Sequence, residues 1–99
     1  MPRPRACRRV GFRFKCEYFK PAGVPLNSLE EIVLAVEELE AVRLADLNDM
    51  GQEECARKMG VSQPTFHRIV TAARKKIADA LANGKAIRVE GGNYKLLKR

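Results

Sequence analysis

Residues 52–71 read QEECARKMGVSQPTFHRIVT, and the fold turns on how this stretch is punctuated. Gly60 reaches left-handed backbone angles without a Cβ penalty, so it closes a helix running from Gln52 to Met59. Ser62 opens the next helix. As N-cap its hydroxyl can accept from the Thr65 amide, while Pro64 in the first turn gives up an amide hydrogen that has no helical acceptor. Cys55, Met59, Val61, Phe66 and Ile69 are the apolar residues that lock the pair, and Ala56 must be small where the helices cross. Two helices joined by a tight glycine turn form the helix-turn-helix arrangement.

Working outward, the second helix should continue to Leu81 or Ala82 and stop at Asn83-Gly84. Phe66, Ile69, Val70, Ala73, Ile77, Ala80 and Leu81 recur at three and four, a core stripe about 120° wide. Upstream, Val36 to Leu47 reads as a helix. Its apolar residues Val36, Leu39, Val42, Leu44 and Leu47 cover an arc wide enough for two partners, and Glu37, Glu38 and Glu40 lie where the helix dipole favours anions. Ile32 to Leu34 is brief and β-branched, either strand or irregular. Val10, Phe12, Phe14, Cys16 and Tyr18 alternate with Arg9, Arg13, Lys15 and Glu17, the pattern of one half-buried strand with a basic outer face, ended by PAGVP. After Gly84, AIRVE alternates again, followed by a Gly91-Gly92 turn and a basic tail. The expected fold is mainly α: a helix-turn-helix unit at about 52–82 within a single domain, 10–99, with short N- and C-terminal β extensions and a basic flexible arm, 1–9.

With 99 residues, a second domain would be too small to stand alone. Lysine plus arginine number 19 against 12 acidic residues, a net charge of +7 that favours a polyanionic partner. The signs are segregated. Residues 1–20 carry a net of +6, residues 21–56 a net of −8, residues 57–76 six cations and no acid, and residues 77–99 a net of +3.

On the third helix the side opposite the stripe carries Pro64, His67, Arg68, Thr71 and Lys75, with Arg74 and Lys76 at its borders. A helix fits the major groove of duplex DNA, and its N-terminal exposed side chains lie near base edges. Those are Gln63, Pro64, His67, Arg68 and Thr71. Arginine pairs bidentately with guanine, glutamine with adenine, and Pro64 or the Thr71 methyl can touch a thymine methyl. Arg57, Lys58, Thr65, Arg74, Lys75 and Lys76 are candidates for phosphates, which give affinity without sequence preference. Arg3 and Arg5, in the proline-interrupted arm, suit an adjacent minor groove.

Together, MPRPR at the front, YFKPAGVPL, LEEIVL, EELEAVRLADL, GQEECARKMGVSQPTFHRIVTAARKKIADAL and NGKAIRVEGGNY near the end resemble a family of small prokaryotic predicted DNA-binding proteins. The helix-turn-helix of that family is similar to the promoter-reading last domain of bacterial sigma factors, in the winged-helix-like superfamily. The resemblance implies a transcription regulator and not a sigma factor, because the domains that bind core polymerase and melt DNA do not fit in a chain this short. Two departures stand out. Ala35 occupies the N-cap where the family usually has threonine, and GFRFK replaces a segment that often holds proline or cysteine.

Other classes fare worse. The longest apolar run, Ile32 to Val36, is far below the ~18 residues a membrane helix needs. Three cysteines with no signal peptide point to the reducing cytoplasm. Cys7 and Cys16 lack a Cys-x-x-Cys knuckle, so no metal and no cofactor is expected, and Cys55 reads as a small buried hydrophobe. His67 has no nucleophile at a plausible offset, which leaves no enzyme to assign. The rival function is a protein-docking adaptor that meets RNA polymerase or another regulator through an acidic face of Val36 to Leu47 with Glu53 and Glu54. Single helix-turn-helix units commonly pair on two half-sites, and the alternating segment Ala86 to Glu90 is the candidate for pairing two chains as a homodimer.

Overall fold

Gly60 sits at φ 68°, in the left-handed region, and donates its amide to Arg57 at 3.2 Å. It ends α2 (Gln52–Met59) and lets the chain reverse into α3 (Gln63–Asn83), the longest element. The Ser62 hydroxyl accepts from the Thr65 amide at 3.3 Å, and Gly84, at φ 66°, closes α3. These come from a computed structural model that describes residues 7–14, 17–92 and 94–96. Before them stand β1 (Arg8–Val10), β2 (Tyr18–Phe19), β3 (Glu31–Leu34) and α1 (Val36–Val42); after them come β4 (Ala86–Val89) and β5 (Tyr94–Leu96). α1 widens into a π-helical turn over Arg43–Leu47, with the Asn48 amide reaching back five residues to the Arg43 carbonyl at 3.0 Å.

β3 and β4 are parallel neighbours, and the crossover that parallel pairing requires consists of all three helices. The apolar stripe of α3 therefore serves two cores in succession. Its first half, with Phe66 and Val70, packs on Ala41, Leu44, Cys55, Ala56 and Met59. Its second half, with Ala73 and Ala80, packs on Leu34, Ile87 and Val89 of the sheet. Among the described residues, three α-helices and two small sheets match the mainly α expectation with β extensions.

Several expectations need correction. Residues 9–18 are not one strand: β1 stops at Val10, because the Gly11 amide donates to the Glu40 carboxylate at 2.9 Å instead of to a neighbouring strand. Phe12 is 40% exposed, packs against Phe14 with ring centroids 5.3 Å apart, and lies under the Arg43 guanidinium. Arg8 and Arg9, read as arm, belong to β1, while Arg3, Arg5, Lys15 and Cys16 lie outside the described residues. Leu81 is 78% exposed and Leu47 75%, so neither is core: Leu81 sits at the edge of the stripe beside the buried Ala80, and Leu47 lies at the end of the widened turn. Finally, β4 is the central strand in the order β2-β4-β3, so neither of its edges is free to pair with a second chain.

Candidate nucleic-acid interface

Because the core stripe fixes the rotation of α3, the residues on its far side point away from the protein. Gln63, Pro64, His67, Arg68, Thr71, Arg74 and Lys75 are all exposed, and Thr65 and Lys76 are half-buried at the edge facing α1. Gln63, Pro64, His67 and Arg68 line one shallow depression of about 400 Å³ with Gln52, the first residue of α2. Gln52 Nε2 stands 3.5 Å from His67 Nδ1. The sequence reading passed over Gln52; the signal available was its place at the start of α2, where the first helix of such a pair faces the same way as the N-terminus of the second.

A short chain of hydrogen bonds orders the start of α3. The Ser62 hydroxyl donates to Thr65 Oγ1 at 2.9 Å, and Arg68 Nη2 donates to the same oxygen at 3.1 Å. Thr65 is thereby a support for Arg68, which keeps guanidinium nitrogens outward.

The remaining cations divide into two groups. Arg57, Lys58 and Lys75 are exposed with no ion pair among the described residues. Arg74 is forked onto Asp46, with Nη2 to Oδ1 at 2.8 Å and Nε to Oδ2 at 3.1 Å. Hydrogen bonding across that pair lowers the Asp46 pKa and raises that of Arg74. Lys76 donates to Glu38 at 2.7 Å. Both therefore carry their charge already balanced.

The acidic residues of α1 do not form an exposed face. Glu37, Glu38 and Glu40 are buried and turned inward: Glu37 to Arg8 at 3.6 Å, Glu38 to Lys76 and the Ala35 amide, Glu40 bidentately to Arg43 at 2.6 and 2.8 Å. Asp49, Glu53 and Glu54 are exposed. Cys55 is fully buried, and burial pushes its thiol pKa up, away from the reactive thiolate. Among the described residues no three His, Cys, Asp or Glu side chains converge as a metal site would require, and no helix is long and apolar enough to cross a membrane.

Known relatives share one name and are longer than this chain. The chain is 66% identical over 97 residues to a UPF0251 protein of Moorella thermoacetica, an alignment covering 98% of this chain and 65% of that one. It is 61% identical over 99 residues to a UPF0251 protein of Desulforudis audaxviator, covering 100% and 65%, and 57% identical over 98 residues to one of Halothermothrix orenii, covering 99% and 73%. It thus spans 65% of the length of the first two. No solved structure matches. The family model described as "Protein of unknown function DUF134" matches residues 1–97, and the chain belongs to that family.

Proposed function

We propose that this protein binds duplex DNA in a sequence-dependent way and acts as a transcription regulator, with α3 entering the major groove from its Gln63 end. The observation that carries the reading is the outward line Gln63, Pro64, His67, Arg68, Thr71 and Lys75, which stands opposite the core stripe in a segment, Arg57 to Lys76, that holds no acidic residue. Arg68 and Gln63 are the base-reading candidates. Gln52 supports His67 and contacts the backbone beside it, while Arg57, Lys58 and Lys75 meet phosphates. Arg3 and Arg5 remain candidates for the adjacent minor groove. The activity is binding, without a chemical step or cofactor, and the cytoplasm is where it would meet its partner.

Selecting bound duplexes from a random pool tests the reading and gives the site, its symmetry and the stoichiometry, including any homodimer. Arg68→Ala should then lose about 1–3 kcal/mol of discrimination at one base pair while unrelated duplexes are bound nearly as before. An unchanged ranking of sequences removes Arg68 from base reading. The exposed Asp49, Glu53 and Glu54 favour the second reading, docking on RNA polymerase or another regulator. That reading gains if no duplex is enriched and binding to a protein partner shows little dependence on salt.

A further inference from the structure

A second cationic surface stands beside the α2–α3 unit, on the ribbon made by β1 and β5. The strands run parallel with Arg9 in register with Lys95, so both side chains leave the same face. Arg8 and Val10, on the other face, are buried, and Arg8 lies against Glu37. Arg9 and Lys95 are exposed and form no ion pair among the described residues.

The ribbon touches the α2–α3 unit at two places. Arg9 covers the turn: a Cβ added at Gly60 would stand 3.1 Å from the Arg9 Nε. Gly92, just ahead of β5, lines the same groove of about 650 Å³ as Thr65 and Arg68. The ribbon therefore borders the first half of α3, with Arg9 near the cations Arg57 and Lys58 at the end of α2.

Two like charges held side by side across neighbouring strands repel. Among the described residues outside α2 and α3, Arg8, Arg43, Lys85 and Arg88 each face a carboxylate, whereas Arg9, Arg13, Lys20 and Lys95 do not. What sets the Arg9–Lys95 pair apart is its place: in register on one face of the ribbon, over the Gly60 turn and beside Arg57 and Lys58, where an outside anion would relieve the repulsion. We infer that the β1–β5 ribbon is a second phosphate-binding surface, on which Arg9 and Lys95 grip the sugar–phosphate backbone flanking the groove that receives α3. The inference rests on the duplex-binding reading and extends its footprint to both ends of the chain.

The test uses the full chain with Arg9→Gln and Lys95→Gln, which keep the side-chain length and remove the charge. Duplexes drawn from the random pool, together with unrelated ones, are titrated between 50 and 200 mM salt. The double variant should bind every duplex more weakly by the same factor, and its loss of affinity over that salt range should be about tenfold smaller, as expected for two fewer phosphate contacts. Each single variant should show about half of that on a logarithmic scale. Melting at low salt should not fall, since a repulsion has been removed. Lys85, just past the end of α3, has its ammonium already held by Asp79, and Lys85→Gln should leave the salt dependence unchanged. If the native chain binds duplexes and the double variant matches it in affinity and salt dependence, the ribbon has no such role and the major-groove reading stands. If the weakening is confined to one sequence, Arg9 or Lys95 reads bases and the phosphate assignment is overturned. If the native chain binds no duplex, both readings fall together.

Discussion

At Ala35 the chain starts a helix without the atom that would cap it. The residue has the extended backbone of an N-cap, φ −66° and ψ 151°, and Glu38 Oε1 accepts from its amide at 2.9 Å. That is one half of the reciprocal capping box; a methyl group cannot supply the other half. Ala35→Thr or Ala35→Ser should add about 1 kcal/mol, raising the melting temperature by roughly 4–8 °C for a chain of this size, as read by thermal denaturation. No rise would mean that the backbone around Gly92 leaves the hydroxyl no acceptable rotamer. Asp46 offers a test of opposite character, because its pKa is lowered by hydrogen bonding to Arg74 and by the opposite charge. A lowered folded-state pKa gives stability that is present above the ordinary carboxylate range and lost as pH falls through the folded value. Asp46→Asn should therefore melt earlier than the native chain at neutral pH, by the equivalent of about 0.2–1 kcal/mol for so exposed a pair, and identically in acid. A gap that persists at low pH would show the pair is not its source.

Elements whose ends are written in local chemistry were legible before the fold was known. Gly60, Ser62, Pro64 and Gly84 each act within one helical turn, which is why α2 has the expected bounds and α3 starts as expected and ends at Asn83, one residue past Ala82. The alternation of residues 9–18 predicts one strand because it reports only which side chains could share a face, not whether a partner strand is there to accept the backbone. Glu40, 29 residues away, takes the Gly11 amide, and no window on the sequence contains both. The same blindness hid Gln52 from the site, since its relation to His67 depends on how α2 crosses α3. Leu81 shows the limit of helical periodicity: its spacing puts it in the stripe, yet the sheet covers its neighbour Ala80 and leaves Leu81 outside. Phe66→Ala should lose about 3–5 kcal/mol, whereas Leu81→Ala should change stability by no more than about 0.5 kcal/mol in a denaturant titration. A large loss at Leu81 would place it under a covering surface absent from the fold as described.

Across the whole molecule, the charge pattern of the sequence is correct in outline and wrong in arithmetic. The acidic segment 21–56 and the basic segment 57–76 are not two separate faces, because they fold onto one another through Asp46–Arg74 and Glu38–Lys76. Among the described residues, the cations on and beside the α2–α3 unit that have no ion pair are Arg57, Lys58, Arg68 and Lys75, together with the ribbon cations. Lys75 and Lys76 are adjacent and chemically identical, yet they should behave differently. Lys75→Ala should weaken all duplexes alike, flatten the logarithmic salt dependence by about 0.9, and leave the melting temperature nearly unchanged. Lys76→Ala should instead lower stability by about 1–2 kcal/mol, between the values for exposed and fully buried pairs, because Glu38 has a side chain only 12% exposed and loses its counter-charge. Its effect on salt dependence should be small. Should Lys76→Ala flatten the salt dependence as much as Lys75→Ala, then Glu38 releases its lysine when DNA arrives, and the neutralised cations must be counted back into the interface.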